Sequence, residues 1–320
     1  MASTSTGTPH PAEGVPAGAA DTVERGPEPS VDAAGARPAG PARASARASA
    51  PASTRDAARV RTPRPAPAAA AGQMPATPDD VATALAAVAD ASDALFLQRF
   101  FKTGPGEYGE GDVFIGVRVP ALRAVVKRIG PLPLVVIREL LESPVHEHRL
   151  AGLVGLNTLF ARASAARTRD DEERERLAAF YLSAVRAGRV NNWDLVDASA
   201  EFILGEYLFD RPRLLLDELL DDGDLWWRRV ALLTTFGFIK RKDASTTLAL
   251  ASRVLDIGDR RDLTQKATGW MLREVGKRVD RVLLVAFLDE NAHRMPAVML
   301  SYATEHLDAE ARAGYRARRR

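Results

Sequence analysis

The chain has 320 residues, 46% of them hydrophobic and 27% charged, with a net charge of +2 and no cysteine. Without cysteine there are no disulfides, no thiolate catalysis and no thiolate metal site, and five scattered histidines argue against a histidine-built one. No run of 18 apolar residues is present to cross a membrane, and the first residues lack an apolar stretch of signal type.

Residues 1–75 are mostly Ala, Pro, Gly, Ser, Thr and Arg, a composition that buries too little surface to offset its ordering entropy. A disordered arm is expected there. Removing its eight arginines and six acidic residues from the chain's 44 and 42 leaves 36 of each, so the folded part is neutral. Any surface for a polyanion must therefore come from segregation of charge, not from excess.

From about Thr77 the pattern is helical nearly everywhere. Thr77-Pro78-Asp79-Asp80 opens an Ala/Leu-rich segment to which Phe96, Phe100 and Phe101 give an apolar face. A Gly-rich loop follows at about 102–118. Pro120 starts a short helix, and Pro133 suits the start of the next. Ser143 is expected to cap a helix whose first residue is Pro144. Further helices are expected at about 171–187, 193–209, 211–221, 225–241, 243–257, 262–278, 280–291 and 296–307. Residues 311–320 form a basic tail. No alternating strand pattern appears. Helix pairs with short links point to an α-solenoid of HEAT-like repeats over residues 76–310, with a bundle array as the competing architecture.

Gly104-Pro105-Gly106-Glu107-Tyr108-Gly109 has the spacing of a dinucleotide fingerprint. The context is wrong: a Phe-rich helix precedes it, and Glu107, Glu110 and Asp112 would repel phosphate. An ordered connecting loop is the expectation.

Three segments carry possible chemistry. In Asn192-Trp193-Asp194-Leu195-Val196-Asp197, helical spacing puts Trp193 and Asp197 on one face. Asp194, Asp197 and Glu201 make an acidic ridge, which by itself reads as a solvated face. In Leu225-Trp226-Trp227-Arg228-Arg229, two cations oppose the dipole of a first turn and need a partner, either a phosphate or Asp197. In 262–278, Lys266, Trp270, Arg273 and Lys277 form a basic stripe with an aromatic inside it. A solvated face explains such a stripe, but the tryptophan favours nucleic acid.

With Phe100-Phe101-Lys102-Thr103-Gly104, Gly116-Val117-Arg118-Val119-Pro120 and Lys266-Ala267-Thr268-Gly269-Trp270-Met271-Leu272-Arg273-Glu274, these segments resemble the DNA alkylation repair family, the HEAT-like DNA glycosylases of the AlkD type. The resemblance runs from about 80 to 307. It implies a right-handed superhelix holding duplex DNA on its concave face, and excision of N3- and N7-alkylated purines. It implies a site of Trp193, Asp197, Trp270 and an arginine, Arg229 or alternatively Arg228, that holds a backbone phosphate. Arg228, Lys266, Arg273 and Lys277 are expected to bind DNA. No metal or cofactor is expected, and a cytoplasmic, nucleoid-associated monomer is. A DNA-binding protein without catalysis and a protein-interaction scaffold are the competing readings. The acidic ridge is odd beside a polyanion, which favours a catalytic role for it.

Overall fold

The computed structural model describes residues 76–319, and the expected N-terminal arm, residues 1–75, lies outside the described residues. Thr77 and Asp80 bond reciprocally through side chain and amide, a capping box that starts α1 (Pro78–Ala86). The segment expected to continue to the phenylalanines breaks. Asp90 accepts from the amides of Ser92 and Asp93, and this second cap starts α2 (Ala91–Phe100).

Pro120 lies in the first turn of α3 (Val119–Ile129), and Pro133 immediately precedes α4 (Leu134–Leu141). The start of α5 (His146–Ser164) differs from expectation. Ser143 accepts from the amide of Val145 instead of capping the helix, and Val145 is held extended by an isolated parallel bridge to Val113. The end of the Gly-rich loop therefore sets where α5 begins.

Then come α6 (Asp171–Arg186), α7 (Trp193–Asp197), α8 (Leu214–Asp221), α9 (Leu225–Lys240), α10 (Ser245–Ile257), α11 (Asp262–Arg278), α12 (Arg281–Asn291) and α13 (Ala297–Ala303). Helices α5, α7, α9, α11 and α13 form a row in which each packs on the next, with α4, α6, α8, α10 and α12 flanking it. That alternation is an α-solenoid of helical repeats, as expected. One continuous apolar core runs along the row. A basic tail is expected over 311–320, of which residues 311–319 are described. Most of them belong to α14 (Ala309–Ala317), docked by buried Tyr315, whose hydroxyl donates to Asp289 at 3.0 Å.

The expected helix over 193–209 is interrupted, and this matters most for the site. After Asp197 the Ser199 hydroxyl donates back to the Leu195 carbonyl at 2.5 Å, a bond that competes with helix continuation. Tyr181 bonds the same hydroxyl at 2.9 Å, and Asn157 donates to the Ala198 carbonyl at 2.7 Å, so both the hydroxyl and a carbonyl at the break find partners. A π-helical turn, Glu201–Gly205, follows. It lies so close to α9 that a Cβ on Gly205 would sit 2.8 Å from the Thr234 carbonyl oxygen and 3.3 Å from the Gly237 Cα.

Alanine normally stabilises a helix relative to glycine by about 1 kcal/mol. Here Gly205→Ala forces two backbones apart, so the expected effect has the opposite sign, a destabilisation of about 1–3 kcal/mol. Urea unfolding of the two proteins decides the sign.

Candidate active site

Asn192 closes the N-terminus of α7 by accepting from the Trp193 amide at 2.8 Å. Asp197 is the last residue of this single-turn segment. Its carboxylate is met by Arg229 from the second turn of α9: Nε donates to Oδ1 at 2.9 Å and Nη2 to Oδ2 at 2.8 Å. Both side chains are only 6% exposed. The third nitrogen, Nη1, donates to the Leu263 carbonyl in the first turn of α11 at 3.2 Å. One guanidinium thus ties α7, α9 and α11, which include both tryptophans of the expected site. The bidentate fork gives the carboxylate a fixed plane.

The sequence leaves phosphate or Asp197 as the partner of the two arginines, and the resemblance favours Arg229 over Arg228 as the site arginine. The structure separates them. Arg229 faces Asp197, so in the free protein its anion is a carboxylate and not the phosphate expected from the resemblance. Arg228 is buried on a different side, donating to the Leu220 carbonyl at 2.7 Å and to Asp259 at 2.6 Å. Burial opposes ionisation of Asp259, yet its bonds from Arg261 and Arg228 hold it far below the usual carboxylate range. In the free protein Arg228 is thus held by a carbonyl and a carboxylate on the side away from Asp197.

The acidic ridge is also corrected. Asp194 meets His146 at 2.8 Å, Asp197 meets Arg229 at 2.8 Å, and Glu201 meets Lys240 at 2.5 Å. Three cations from α5 and α9 answer three acids, so the ridge carries no excess negative charge and its supposed oddness is no argument for catalysis. Burial pushes the Glu201 carboxyl above its ordinary range despite Lys240.

Trp193 is half-buried, and one face of its indole stacks on Phe101, with centroids 5.0 Å apart and planes 16° apart. Phe100 meets its edge at 5.9 Å. Trp270, also half-buried, packs beside Phe236 at 5.8 Å. Along the same face of α11, Lys266 pairs with Asp262 at 3.1 Å, Arg273 pairs with Glu305 and Glu274, and Lys277 is exposed. The expected basic stripe exists, but two of its three cations already have carboxylate partners.

Sequence reasoning missed His146. Its Nδ1 lies 3.0 Å from Asp112 and its Nε2 2.8 Å from Asp194. Arg149 donates to Asp112 at 2.6 Å, and Asn192 donates to it at 3.2 Å. In the sequence, Asp112 shows only as one of three acids in the Gly-rich loop that would repel phosphate. It is the hub of a buried polar network under α7. No local spacing signals this, because the partners are 34, 37 and 80 residues away. Among the described residues no group of three or more His, Asp or Glu is placed to hold a metal.

The family model for DNA alkylation repair enzymes matches residues 81–307, a span that takes in Trp193, Asp197, Arg229 and Trp270. No curated protein matches the chain.

Burial pulls the His146 pKa down, but the Asp194 and Asp112 carboxylates outweigh it and push it up to about 9. A histidine raised in the folded state contributes stability below its unfolded pKa, near 6.5, and loses that contribution as pH rises through the folded value. Unfolding free energy should therefore fall by on the order of 3 kcal/mol between pH 6.5 and 10 on account of His146. Urea titrations across that range check this, and His146→Gln should show a flatter profile.

Proposed function

The chain belongs to the DNA alkylation repair enzyme family, and on that footing we propose that it is a DNA glycosylase hydrolysing the N-glycosidic bond of cationic N3- and N7-alkylated purines in duplex DNA. The family supports a repair role with DNA as substrate. The chemistry follows from the lesion and from the residues of α7, α9 and α11.

An alkylated purine of this kind carries a positive charge and leaves without a general acid. Bond cleavage develops oxocarbenium character on the deoxyribose. A carboxylate kept ionised and held in one plane stabilises that cation and orients the attacking water. Asp197 is such a carboxylate, and its bidentate pair with Arg229 is the observation that carries the proposal. Arg229 acts on Asp197 directly, keeping it ionised and aimed. Trp193 offers the face turned away from Phe101, and Trp270 supplies a second aromatic wall. Each contributes about 0.5–2 kcal/mol toward a cation over its ring. Lys266 and Lys277 bind backbone phosphates, and Arg273 does so by exchanging half-exposed Glu305 for phosphate. The protein acts as a monomer in the cytoplasm, at the nucleoid, and needs no metal or cofactor for this reaction.

One observation favours a second reading, a non-catalytic protein that binds damaged or branched DNA. A buried Asp–Arg pair linking three helices is explained by packing alone. The two readings part on Asp197→Asn.

The wild-type protein should release 7-methylguanine from a duplex. Asp197→Asn should do so at least about 100-fold more slowly while keeping its affinity for the same duplex. Uracil, which carries no charge, should be released poorly by both. Circular dichroism and a thermal melt establish that the variant is folded. Binding without release by the wild type selects the non-catalytic reading, and efficient uracil release overturns the cation mechanism. Replacing Lys277 by Gln should lower the slope of log affinity against log salt by about 1, as measured by fluorescence anisotropy.

A further inference from the structure

The rings around Trp193 are layered. His146 stacks on Phe114 at 4.4 Å and 22°, Phe114 on Phe101 at 4.8 Å and 17°, and Phe101 on Trp193 at 5.0 Å and 16°. His146 also lies 5.2 Å from Phe101, so the imidazole and Phe114 together back the ring on which the candidate-site indole stacks. His146 is 1% exposed, so water does not share its bonds.

Both of its ring nitrogens face carboxylates: Asp112 from the loop before α3, and Asp194 from α7. A neutral imidazole has one N–H and one lone pair, whereas the imidazolium donates at both nitrogens. Two carboxylate acceptors therefore call for the imidazolium. The other charged groups around it are already occupied. Arg149 of α5 donates to Asp112, and the buried Glu147 carboxylate accepts from the amides of Ile115, Gly116 and Val117. His146 and Arg149 thus balance Asp112 and Asp194, two against two.

This unit grips Trp193 from both sides in sequence. Asn192, which precedes it, donates to Asp112 and caps the Trp193 amide. Asp194, which follows it, is held by His146 Nε2. A second grip is through the rings, because His146 and Phe114 back the phenylalanine on which the indole rests.

We propose that His146 is a positioning residue for Trp193: clamped as an imidazolium between Asp112 and Asp194, it sets the start of α7 and the angle at which the indole stands in the candidate site. Loss of the proton removes a donor from one of the two carboxylates. That carboxylate is then buried with an unmatched charge, and the start of α7 has to shift to solvate it. The kinetic consequence rests on the glycosylase reading, and the structural one does not.

The test is a pH titration of the full-length ¹⁵N-labelled protein by NMR. The His146 imidazole nitrogens are followed alongside the Trp193 indole N–H, the latter assigned by its disappearance in Trp193→Phe. His146 should titrate well above an ordinary histidine, and the Trp193 peak should move with the same midpoint while the Trp227 peak stays in place. Asp194→Asn keeps a hydrogen-bond acceptor but removes the charge. It should lower the His146 midpoint by at least about one unit, a tenfold change in proton affinity, and carry the Trp193 midpoint down with it. In base release, kcat should decline with the same midpoint and shift with the variant, while the Kd for duplex stays constant.

A Trp193 peak that ignores the His146 titration overturns the proposal, as does a His146 that titrates like an exposed histidine. So does an Asp194→Asn protein in which the His146 midpoint falls and the Trp193 midpoint does not. If the wild type releases no base at any pH, the glycosylase reading fails while the two NMR midpoints still judge the positioning. The wild-type titration needs no variant, so an unstable Asp194→Asn protein does not remove the decision.

Discussion

A carboxylate and a guanidinium can both stay charged in a helical core only when their geometry is close to ideal and the remaining polar atoms are used. Asp197 and Arg229 meet that condition, with one bond to each carboxylate oxygen and a third from the guanidinium to the Leu263 carbonyl. The rest of the candidate site depends on it. Helix α7 is one turn long and ends at Asp197, so it has little hydrogen bonding of its own to hold it. Its position comes from Arg229 at its end and from the Asp112–His146 unit at its start. Removing either grip leaves a buried charge without its partner, the costliest kind of loss in a protein interior.

The break after Asp197 has the same logic. A continuous helix over 193–209 would carry Asp197 in its interior, where its carboxylate would be one of many along a regular face. The Ser199 back-bond, the Asn157 bond to Ala198 and the π-helical turn packed on Gly237 end the helix at the aspartate. The local irregularity is thus supported by specific bonds, and it lies beside the residues to which the chemistry is assigned.

Charge is distributed in pairs throughout this region. The neutral balance of the folded part, visible in the sequence, is realised as acid–base partners between successive helices of the row, not as separate acidic and basic faces. The α11 stripe follows the same pattern in part, with carboxylates on Lys266 and Arg273 and an exposed Lys277. Attraction for a polyanion in such a surface comes from exchanging local carboxylates for phosphates, which makes binding sensitive to salt.

Much of the fold was legible in the sequence because helix signals are local. Capping residues, prolines and the 3.6-residue period placed the starts of α1, α3 and α4 and the extents of α6 and α8 to α13 to within a few residues, and the Trp193–Asp197 spacing marked one segment of the candidate site. Where a side chain from elsewhere intervened, the local signal failed: Val113 displaced the start of α5, and Asn157 and Tyr181 helped end α7. The identity of each ion-pair partner was beyond sequence altogether. Arg229 lies 32 residues from Asp197, Lys240 39 from Glu201, and His146 48 from Asp194. Periodicity reports only neighbours three and four residues apart. The sequence by itself determined the helical class, the charge balance and the family motifs, since these follow from residue type and short spacing. Only the tertiary structure decided that Arg229 faces Asp197 while Arg228 does not, and that a buried histidine stands beneath Trp193, because those contacts exist only once the helices pack.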